Sequence, residues 1–462
     1  MIILNNNDIN KMLCRILAAL LILSALLLAG CRLDLSGEET QFLESTEKNT
    51  GITDDAVQTI VIWEYERGTK SFQESLSELA EEATLADIDG KRYHVVAVEV
   101  PADVYEQEFL EAYVQGTAPD IVFGTPENPS LYTGIGVTID LSPLLEQWEQ
   151  EDSVYLKELP ELAWDYFKTK GIQSGVPVTQ TGYGIVYNKD IFSKTGITVL
   201  PHTYEEWEQM CIQIAETGVI PWINGVENVG VPSLNCLAYW LGSNGTSILN
   251  ADRKADFGNK ACMGVWSFYE KNIENNYQPE NVLQYTDEDA RQLFLDGKAA
   301  MYAGTIPNFI SEDLEKYGVL PMISEPAAEG VSYHPVSFQG YYGIRSSHDS
   351  DTLAVLKWWY EHNASLWAEA DTDRVPCLQE HAIRIYGENE LIRDWLLENL
   401  FVENVSTIFY PQTRYPSYAN ELISSGCLTG VLTALYSGGT INEGILKANF
   451  ETDRLLEKYI IQ

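Results

Sequence analysis

Residues 59–63 read TIVIW and residues 93–100 read YHVVAVEV, and these two stretches decide the fold class. Uninterrupted apolar runs of this kind are typical of strands buried in a parallel sheet. APDIVF at 118–123 supplies a third short strand. The segments between them, 71–83 and 104–114, space their apolar side chains along one helical face. Strand, helix, strand, helix, strand predicts βαβ units on a parallel sheet, and therefore an α/β fold.

The rest of the chain continues this alternation. Its 462 residues are 45% hydrophobic and 11% aromatic, enough to bury more than one core. Helices are predicted at 204–217, 287–295 and 353–362, with a strand at 299–302. We therefore expect an α/β body built as two lobes.

The charge balance excludes some partners. The chain has 68 acidic and 29 basic residues, a formal net charge of −39. Such a surface repels phosphate backbones, so we expect no nucleic-acid partner. Docking on anionic lipid through a basic patch is disfavoured for the same reason. The acidity favours solubility in an exposed compartment and does not by itself identify a ligand.

An apolar run near the N-terminus predicts a signal peptide. Lys11 and Arg15 lead into the run, which extends over 16–28 and is too short to cross a bilayer comfortably. It ends in Leu-Ala-Gly-Cys at 28–31, which resembles a bacterial lipobox. We therefore predict a lipoprotein signal peptide over residues 1–30.

The lipobox resemblance implies that Cys31 is the N-terminus of the mature protein and carries a lipid, with palmitate among the acyl chains. Residues 31–56 are polar and lack apolar periodicity, which predicts a flexible tether. No later stretch approaches the length of about 18 apolar residues that a membrane span needs. We expect the protein on the outer, extracellular face of the cytoplasmic membrane, attached through the lipid only.

The motifs of enzymes and metal sites are absent. Phosphate-loop, dinucleotide-binding, zinc-protease and serine-hydrolase patterns do not occur, so we expect no enzyme activity, no cofactor and no metal. Asp87-Ile-Asp-Gly90 opens like a calcium loop, but Val98 stands where the closing Glu is needed. The body cysteines are odd in number and none forms C-x-x-C, which leaves one disulfide open. They are Cys211, Cys236, Cys262, Cys377 and Cys427.

Several segments, in order, resemble the extracellular solute-binding proteins of bacterial ABC importers. The longest block begins with Gly-Val-Pro at 175–177 and continues through GIVYNKDIF at 184–192 and TYEEW at 203–207. APDIV at 118–122 and LDGKAAM at 295–301 are similar to further motifs of that family. The nearest group is its maltose-binding-like, sugar-binding family 1.

These motifs also have a structural interpretation. Asn188 or Asp190 is placed to cap a following helix. Thr203 and Glu206 have the spacing of a capping box. Gly297 suits a left-handed helix stop before a strand. We therefore predict structural roles for these residues and do not interpret them as ligand contacts.

The resemblance implies two α/β lobes joined at a hinge, with the ligand in the cleft between them. By position, the chain should cross between lobes near 178–183, 339–342 and 374–378. The implied lobes are an N-lobe of 57–179 with 340–374 and a C-lobe of 180–338 with 378–462.

Candidate ligand contacts follow from sugar chemistry and from position. Sugars present flat apolar faces and a rim of hydroxyls, which suit aromatic rings, carboxylates and amides. The candidates lie at the end of the first strand, at the crossings, in the C-lobe and in a Pro-rich loop. They are Trp63, Glu64, Tyr65, Tyr183, Glu227, Asn228, Trp240, Tyr341, Tyr342, Tyr415 and Tyr418. Residues 304–308 lack the Trp that maltose binders have there, which argues against maltose.

The resemblance implies a monomeric lipoprotein that captures a carbohydrate, in particular an oligosaccharide, and delivers it to the permease subunits of an importer. A ligand that touches both lobes only when they close would shift the open–closed equilibrium. One alternative is the same fold binding a peptide, a polyamine or another non-sugar solute, and acidic groups at the cleft would favour it. Another is a surface adhesin or a sensor's partner that takes no part in transport.

Overall fold

The computed structural model describes residues 57–67, 69–124, 132–133, 136–305, 314–324, 331–367, 374–409 and 418–460. The predicted signal peptide, Cys31, the tether over 31–56 and Tyr415 lie outside these residues. Contacts between Cα atoms group Gln58–Gln462 into one unit. Within the described residues, no helix combines the length and the apolar character that crossing a membrane requires.

Strands and helices alternate along the body. The strands are β1 (Gln58–Tyr65), β2 (Tyr93–Val100), β3 (Ile121–Gly124), β4 (Lys168–Thr169), β5 (Ile172–Gln173), β6 (Val176–Gly182), β7 (Gly184–Asn188), β8 (Ile220–Ile223), β9 (Ala299–Gly304), β10 (Tyr317–Val319), β11 (His334–Gly343), β12 (Val375–Pro376) and β13 (Val405–Ser406). The longer helices of the first half are α1 (Lys70–Leu85), α2 (Tyr105–Gln115), α3 (Ser142–Gln150), α4 (Val154–Glu158), α5 (Glu161–Tyr166), α6 (Lys189–Thr195), α7 (Tyr204–Ala215) and α8 (Val231–Ser243). Those of the second half are α9 (Lys260–Glu274), α10 (Asp287–Leu295), α11 (Asp349–His362), α12 (Gln379–Tyr386), α13 (Glu390–Asn399), α14 (Ala419–Ser425), α15 (Gly430–Tyr436) and α16 (Ile441–Ile460).

The first sheet has the strand order β12-β6-β11-β3-β1-β2, with β13 beside β11. β1 pairs in parallel with both β2 and β3, which confirms the predicted βαβ units. The remainder of the sheet differs from the expected parallel arrangement, because β11 pairs antiparallel with β3 and with β6, and β12 pairs antiparallel with β6. Strands from distant parts of the chain therefore complete this sheet, and periodicity within one segment cannot reveal such pairings.

The second sheet has the order β10-β7-β9-β8. β7 is antiparallel to β9 and β10, whereas β8 and β9 are parallel. The body is thus a two-lobed α/β fold, with each sheet at the centre of one lobe. The chain passes from the first sheet to the second at Tyr183, the single residue between β6 and β7.

Local signals in the sequence correctly predict several helix boundaries. In α1 the buried face consists of the apolar residues of the predicted helical face, Phe72, Leu76, Leu79, Ala80 and Ala83. The Asn188 side chain accepts hydrogen bonds from the amides of Asp190 and Ile191 at the start of α6. Thr203 and Glu206 form the expected capping box of α7. Gly297 has φ of 70°, the left-handed conformation that ends the segment after α10.

The five body cysteines are all free and buried, so no disulfide joins any two of them. Burial raises the pKa of Cys236 and of Cys262 to about 12. Cys236 and Cys262 therefore behave as small apolar side chains and carry no reactive thiolate.

Candidate ligand-binding site

Four strand ends meet at one edge of the first sheet. β1 and β3 are parallel, so their C-terminal ends lie at the same edge. β11 runs antiparallel to β3 with Gly340 opposite Gly124, so the earlier residues of β11 extend to that edge. Val336 of β11 pairs with Gly182, which brings the end of β6 there as well. Open α/β sheets bind ligands outside the carboxyl ends of their strands, and this edge is therefore the place to look for a site.

A cavity of about 310 Å³ lies at this edge, where the two lobes meet. From the first lobe it is lined by the end of β6 and the start of β11. From the second lobe α8 contributes Val231, Leu234, Asn235 and Ala238, and Tyr183 lines the cavity between the lobes. Parts of the chain that are far apart in sequence thus converge on one hollow.

The lining combines ring surface with small polar groups. Tyr166 and Phe338 are buried aromatic residues, and Ile408 and Ile423 add aliphatic surface. The polar members are Thr181, Asn235, Thr305 and Ser337, each half-buried. Arg374 is the one charged side chain among the described residues of the lining, and no carboxylate is present among them. A mainly apolar hollow with a few convergent polar groups is the usual form of a small-molecule site.

A second cavity, of about 660 Å³, adjoins the first along α8. Both cavities are lined by Val231, Leu234 and Ile423, so they share a wall, although all the described lining of the second cavity comes from the second lobe. The second cavity adds Asn228 and the turn at Ser424–Gly426, and its described lining carries no charged side chain. We call these two joined cavities the interlobe groove.

Trp63 and Tyr65 lie at the same sheet edge, at the end of β1, and both are half-buried. Trp63 makes edge contacts with the rings of Tyr105 and Phe109, at 5.9 and 6.5 Å between centroids. Tyr65 packs at 4.5 Å from Tyr105. Neither residue is among those that line the interlobe groove, so their contact with a ligand stays a prediction.

Glu64 lies between these two residues and is completely buried. One carboxylate oxygen accepts a hydrogen bond from the Tyr341 hydroxyl, and the other has no partner among the described residues. Burial raises the pKa of Glu64 to about 7, although the Tyr341 hydrogen bond and the Arg67 charge act against the rise. The Arg67 guanidinium is itself packed among aromatic rings, 5.5 Å from the centroid of Phe123. Glu64 therefore supports the strand end from inside the lobe and has no surface to offer a ligand.

Tyr183 is buried, with 6% of its surface exposed, and its hydroxyl has no hydrogen-bond partner among the described residues. Burial raises its pKa well above the usual value, and nearby Cys236, Asp287 and Tyr302 act in the same direction. These neighbours place the hydroxyl on the side of the second lobe. The residue lines the groove at the crossing, as its position in the sequence predicts. Whether it contacts a ligand stays a prediction.

The expectation for Trp240 is corrected by the structure. This residue is 0% exposed and packs in the core of the second lobe. Its ring lies 4.3 Å from that of Phe268 and 5.3 Å from that of Trp207, measured between centroids. Because α8 presents Trp240 to the core, a ligand in the groove cannot touch it. The residues of α8 that do face the groove, such as Asn235, lie on another side of the helix.

Tyr341 and Tyr342 require the same correction. Both are 0% exposed and lie near the C-terminal end of β11, whereas the residues of β11 that line the groove are at its start. Tyr341 packs against Phe123 at 5.1 Å and donates its hydrogen bond to Glu64. Tyr342 packs on the other face of the strand, 5.5 Å from Phe167. Side chains alternate along a strand, so the two rings fill the layers on both sides of the sheet.

The remaining candidates divide into three groups. Glu227 and Asn228 are exposed in a short turn before α8, and Asn228 lines the groove. Asn228 has φ of 53°, a left-handed conformation that Asn tolerates better than most residues. Tyr418 is buried against Phe409 and is not among the residues that line the groove. Tyr415 lies outside the described residues.

Several residues of the groove were not recognised from the sequence. Tyr166, Asn235, Ser337 and Phe338 belong to no motif, and Arg374 was noted only as part of a crossing segment. Their placement depends on the pairing of β6 with β11 and on the packing of α8, both of which are long-range. No cluster of three or more potential metal ligands occurs in the part of the chain that the structure describes.

Comparison with known proteins identifies the family. Residues 69–358 match the bacterial extracellular solute-binding protein family, which is more than half of the chain. A putative binding protein of Brucella abortus is 28% identical over 177 residues, which cover 37% of this chain and 41% of that protein. The match therefore spans less than half the length of this curated relative.

Solved structures share the fold at low sequence identity. A sugar transporter from Arthrobacter chlorophenolicus with bound laminaribiose has a TM-score of 0.67 at 13% identity, covering 86% of this chain and 99% of that one. A cyclic alpha-maltosyl-1,6-maltose binding protein from Arthrobacter globiformis has a TM-score of 0.69 at 15% identity, covering 87% and 100%. The two-lobed fold is common to these structures and to the present one. Together with the family match over residues 69–358, it shows that the chain belongs to the bacterial extracellular solute-binding protein family.

Proposed function

We propose that this protein captures an oligosaccharide outside the cell and delivers it to the permease subunits of an ABC importer. The observation that carries the proposal is the interlobe groove, whose lining joins aromatic and aliphatic surface to small hydroxyl and amide groups. Sugars need both, because their C–H faces pack on rings and their hydroxyls need hydrogen-bond partners. The similar Arthrobacter proteins, described as a sugar transporter with bound laminaribiose and as a cyclic maltosyl-maltose binding protein, support this ligand class.

The charge of the groove weighs against the main alternative ligand. A polyamine or a cationic peptide would need carboxylates to compensate for its charge once it leaves water. The described lining of both cavities contains none, although the chain as a whole has 68 acidic residues. The described residues of the two cavities therefore offer a cationic solute no compensating charge.

Capture follows from the position of the groove between the lobes. A ligand in it touches β6 and β11 from one side and α8 from the other, so it makes its full set of contacts only when the lobes are closed. Tyr183, between β6 and β7, is one place where a hinge rotation would be absorbed. The closed form is then the one that a permease would recognise.

We assign the ligand contacts as follows. Asn235 and Ser337 are half-buried polar residues on opposite walls of the groove and suit sugar hydroxyls. Trp63 and Tyr65 would extend the ring surface at the end of β1. For the lobes we propose the bounds that the resemblance implies, an N-lobe of 57–179 with 340–374 and a C-lobe of 180–338 with 378–462, except that the end of β6 and the start of β11 belong to the sheet of the first lobe.

We further propose that the protein is a monomeric lipoprotein and not an enzyme. The lipobox at 28–31 would place it, after lipidation of Cys31, on the outer face of the cytoplasmic membrane. No catalytic motif occurs in the sequence, and the groove has no pair of acidic groups for glycoside hydrolysis among its described residues. Transport, and not adhesion or sensing, is the role that the family supports best.

A ligand screen with a variant pair tests the proposal. Neutral and acidic oligosaccharides, peptides and polyamines are compared by the rise in melting temperature, and the best ligand is followed by solution scattering. We expect an oligosaccharide to raise the melting temperature and to contract the particle. Asn235→Ala should weaken that ligand about tenfold, because one hydrogen bond is lost.

Asn442→Ala is the matched control, since Asn442 is exposed on α16 and lines neither cavity. It should bind as the wild type does. Stabilisation by peptides or polyamines alone would contradict the assignment of a carbohydrate. Binding without contraction would contradict capture by lobe closure.

A further inference from the structure

We propose that a crevice beside the second sheet docks an extended, basic segment of a partner protein, which adds to the edge of that sheet as a further strand. The crevice is a cavity of about 860 Å³, lined by Tyr187 of β7 and by all of β10 on one wall and by α13 on the other. We call it the edge crevice. It is larger than either cavity of the interlobe groove and shares no described lining residue with them. The proposal therefore goes beyond the capture of a solute and does not depend on it.

β10 is the edge strand of the second sheet, and its hydrogen-bonding pattern shows which groups face outwards. It pairs antiparallel with β7, with Gly318 opposite Tyr187. Just beyond β10, the Leu320 amide donates to the Ile185 carbonyl. Hydrogen-bonded pairs alternate along an antiparallel ladder, so Gly318 also bonds to β7. The N–H and C=O groups of Val319, between these two residues, consequently point away from β7.

The outer edge of β10 is open within the part of the chain that the structure describes. There, no strand lies on the far side of β10, and Val319 makes no backbone hydrogen bond across the crevice. An open edge offers donors and acceptors on which an extended segment can form a strand. β10 is short, so this backbone contact alone would hold a partner only weakly. A second source of affinity is needed.

Carboxylates on the walls of the crevice supply it. The described lining includes five of them, Glu315, Glu388, Glu390, Asp394 and Glu398. Arg393 pairs with Glu390 and Asp394, at 3.7 and 3.1 Å. The other three are exposed, and none of them forms an ion pair among the described residues. They are therefore available to lysine or arginine side chains of a partner.

The positive groups of the crevice do not cancel this charge. Its described lining contains one lysine and one histidine, Lys189 and His202. The Lys189 ammonium donates a hydrogen bond to the backbone carbonyl of Glu315, and not to a carboxylate. On an extended strand, alternate side chains lie on the same face. A strand with basic residues at every second position would thus present them together to the carboxylates while its backbone pairs with β10.

The charge of the chain argues that the occupant is a different protein. Residues 306–313 and 325–330, which precede and follow β10 in the sequence, contain acidic residues and no basic ones. In the predicted tether over 31–56, acidic residues also outnumber basic ones. A second copy carries the same net charge of −39. The carboxylates of the crevice would repel each of these, whereas they would attract a basic segment.

Peptide binding to the full chain tests the proposal. The probe is a short peptide in which lysine and threonine alternate, titrated by calorimetry beside spermine, which matches its charge, and beside the same peptide with glutamate in place of lysine. We expect one lysine peptide to bind per chain, about tenfold more tightly than spermine, because only the peptide can pair with β10. The glutamate peptide should not bind.

Methylation of backbone amides identifies strand addition. An extended strand turns every second N–H group towards its neighbour. Two forms of the lysine peptide are therefore prepared, each methylated on one of the two alternating sets of amides. We expect one form to bind about tenfold more weakly than the parent and the other to bind within about twofold of it. Equal affinities of the two forms would overturn strand addition.

Substitutions in the chain locate the site. Glu388→Gln with Glu398→Gln should weaken the lysine peptide about fivefold, because two exposed ion pairs are lost. Glu81→Gln with Glu82→Gln is the matched control, since it changes the net charge equally at exposed positions of α1 and should leave the affinity within about twofold. Val319→Pro removes an outward N–H group without removing a hydrogen bond to β7, and should also weaken the peptide about fivefold. The melting temperature of each variant without peptide shows that it is folded.

Three further outcomes would contradict the docking of a basic segment. Equal losses from the two glutamate pairs, or spermine bound as tightly as the peptide, would mean that net charge alone attracts the probe. Failure of the lysine peptide to bind would overturn the proposal directly. A dimer in sedimentation that Val319→Pro dissociates would assign the edge of β10 to a second copy instead. Solute capture is measured separately, by saccharide binding, and none of these results alters it.

Discussion

Glu64 shows how the ionisation of one residue can govern stability. Its side chain is 0% exposed and its pKa is raised to about 7, chiefly by burial. The unfolded chain would release this proton near pH 4.5, so the folded state disfavours the ionised form between these two values. The contribution of Glu64 to the free energy of unfolding is therefore greatest below about pH 4.5. It falls as the pH rises from about 4.5 to about 7 and is constant above pH 7.

Glu64→Gln should remove this dependence, because the amide remains neutral and can still accept the hydrogen bond from Tyr341. We expect the variant to be more stable than the wild type at pH 8, by on the order of 3 kcal/mol, and about equal to it at pH 4.5. Urea unfolding at the two pH values measures the difference. Glu66→Gln, at an exposed neighbouring position, is the control and should leave the wild-type profile unchanged. Equal stability of Glu64→Gln and the wild type at pH 8 would contradict the argument.

The residues that the sequence predicted as ligand contacts show where residue-level reasoning fails. An aromatic residue near a lobe crossing has the same chemistry whether it fills the core or lines a groove. Trp240, Tyr341 and Tyr342 fill the core, whereas Tyr183 lines the groove. Whether an aromatic residue fills the core or lines the groove depends on the side of the helix or strand on which it lies. That side is determined by the tertiary packing.

At the scale of single elements, β11 organises the first lobe. It pairs with β3 on one side and β6 on the other, and its register with β6 shifts between Gln339 and Gly340. A Cβ atom at Gly340 would lie 2.0 Å from the carbonyl oxygen of Val176. The close approach of the two backbones, and not a need for a positive φ, is the reason for glycine here.

Gly340→Ala should consequently destabilise the protein, because the clash is with a neighbouring backbone that cannot rotate away. We expect a loss of roughly 1–3 kcal/mol in the free energy of unfolding, or failure to fold. Gly258→Ala is the comparison, since a Cβ atom there would meet only the Ile445 Cγ2 atom at 3.6 Å, an ordinary contact. Urea midpoints of the two variants check the expectation. A Gly340→Ala variant as stable as Gly258→Ala would show that β11 and β6 can move apart at no cost.

At the scale of the whole molecule, the folded unit begins at Gln58, close to the end of the predicted tether. The body supplies the groove, and the residues before it are expected to supply only the attachment to the membrane. We thus propose that capture and anchoring belong to separate parts of the chain.

Cys31→Ala tests the anchoring. The variant has no thiol to receive a lipid, so we expect an unprocessed precursor, or a body released from the membrane fraction, without an acyl chain in the mass spectrum. Cys14→Ala is the matched control, because Cys14 lies within the predicted signal peptide and should be dispensable. Normal processing and membrane retention of Cys31→Ala would contradict the lipoprotein assignment.

The sequence by itself determined the α/β class, the helix that starts after Asn188, the capping box of Thr203 and Glu206, and the family. These features depend on neighbours within a few residues, so periodicity and capping chemistry reveal them. The antiparallel half of the first sheet and the membership of the groove were decided only by the tertiary structure. Pairing of β11 with β6 joins residues more than a hundred positions apart, and Phe338 and Arg374 reach the groove through such pairings. No local pattern records these contacts, because their free energy depends on the whole fold and not on adjacent residues.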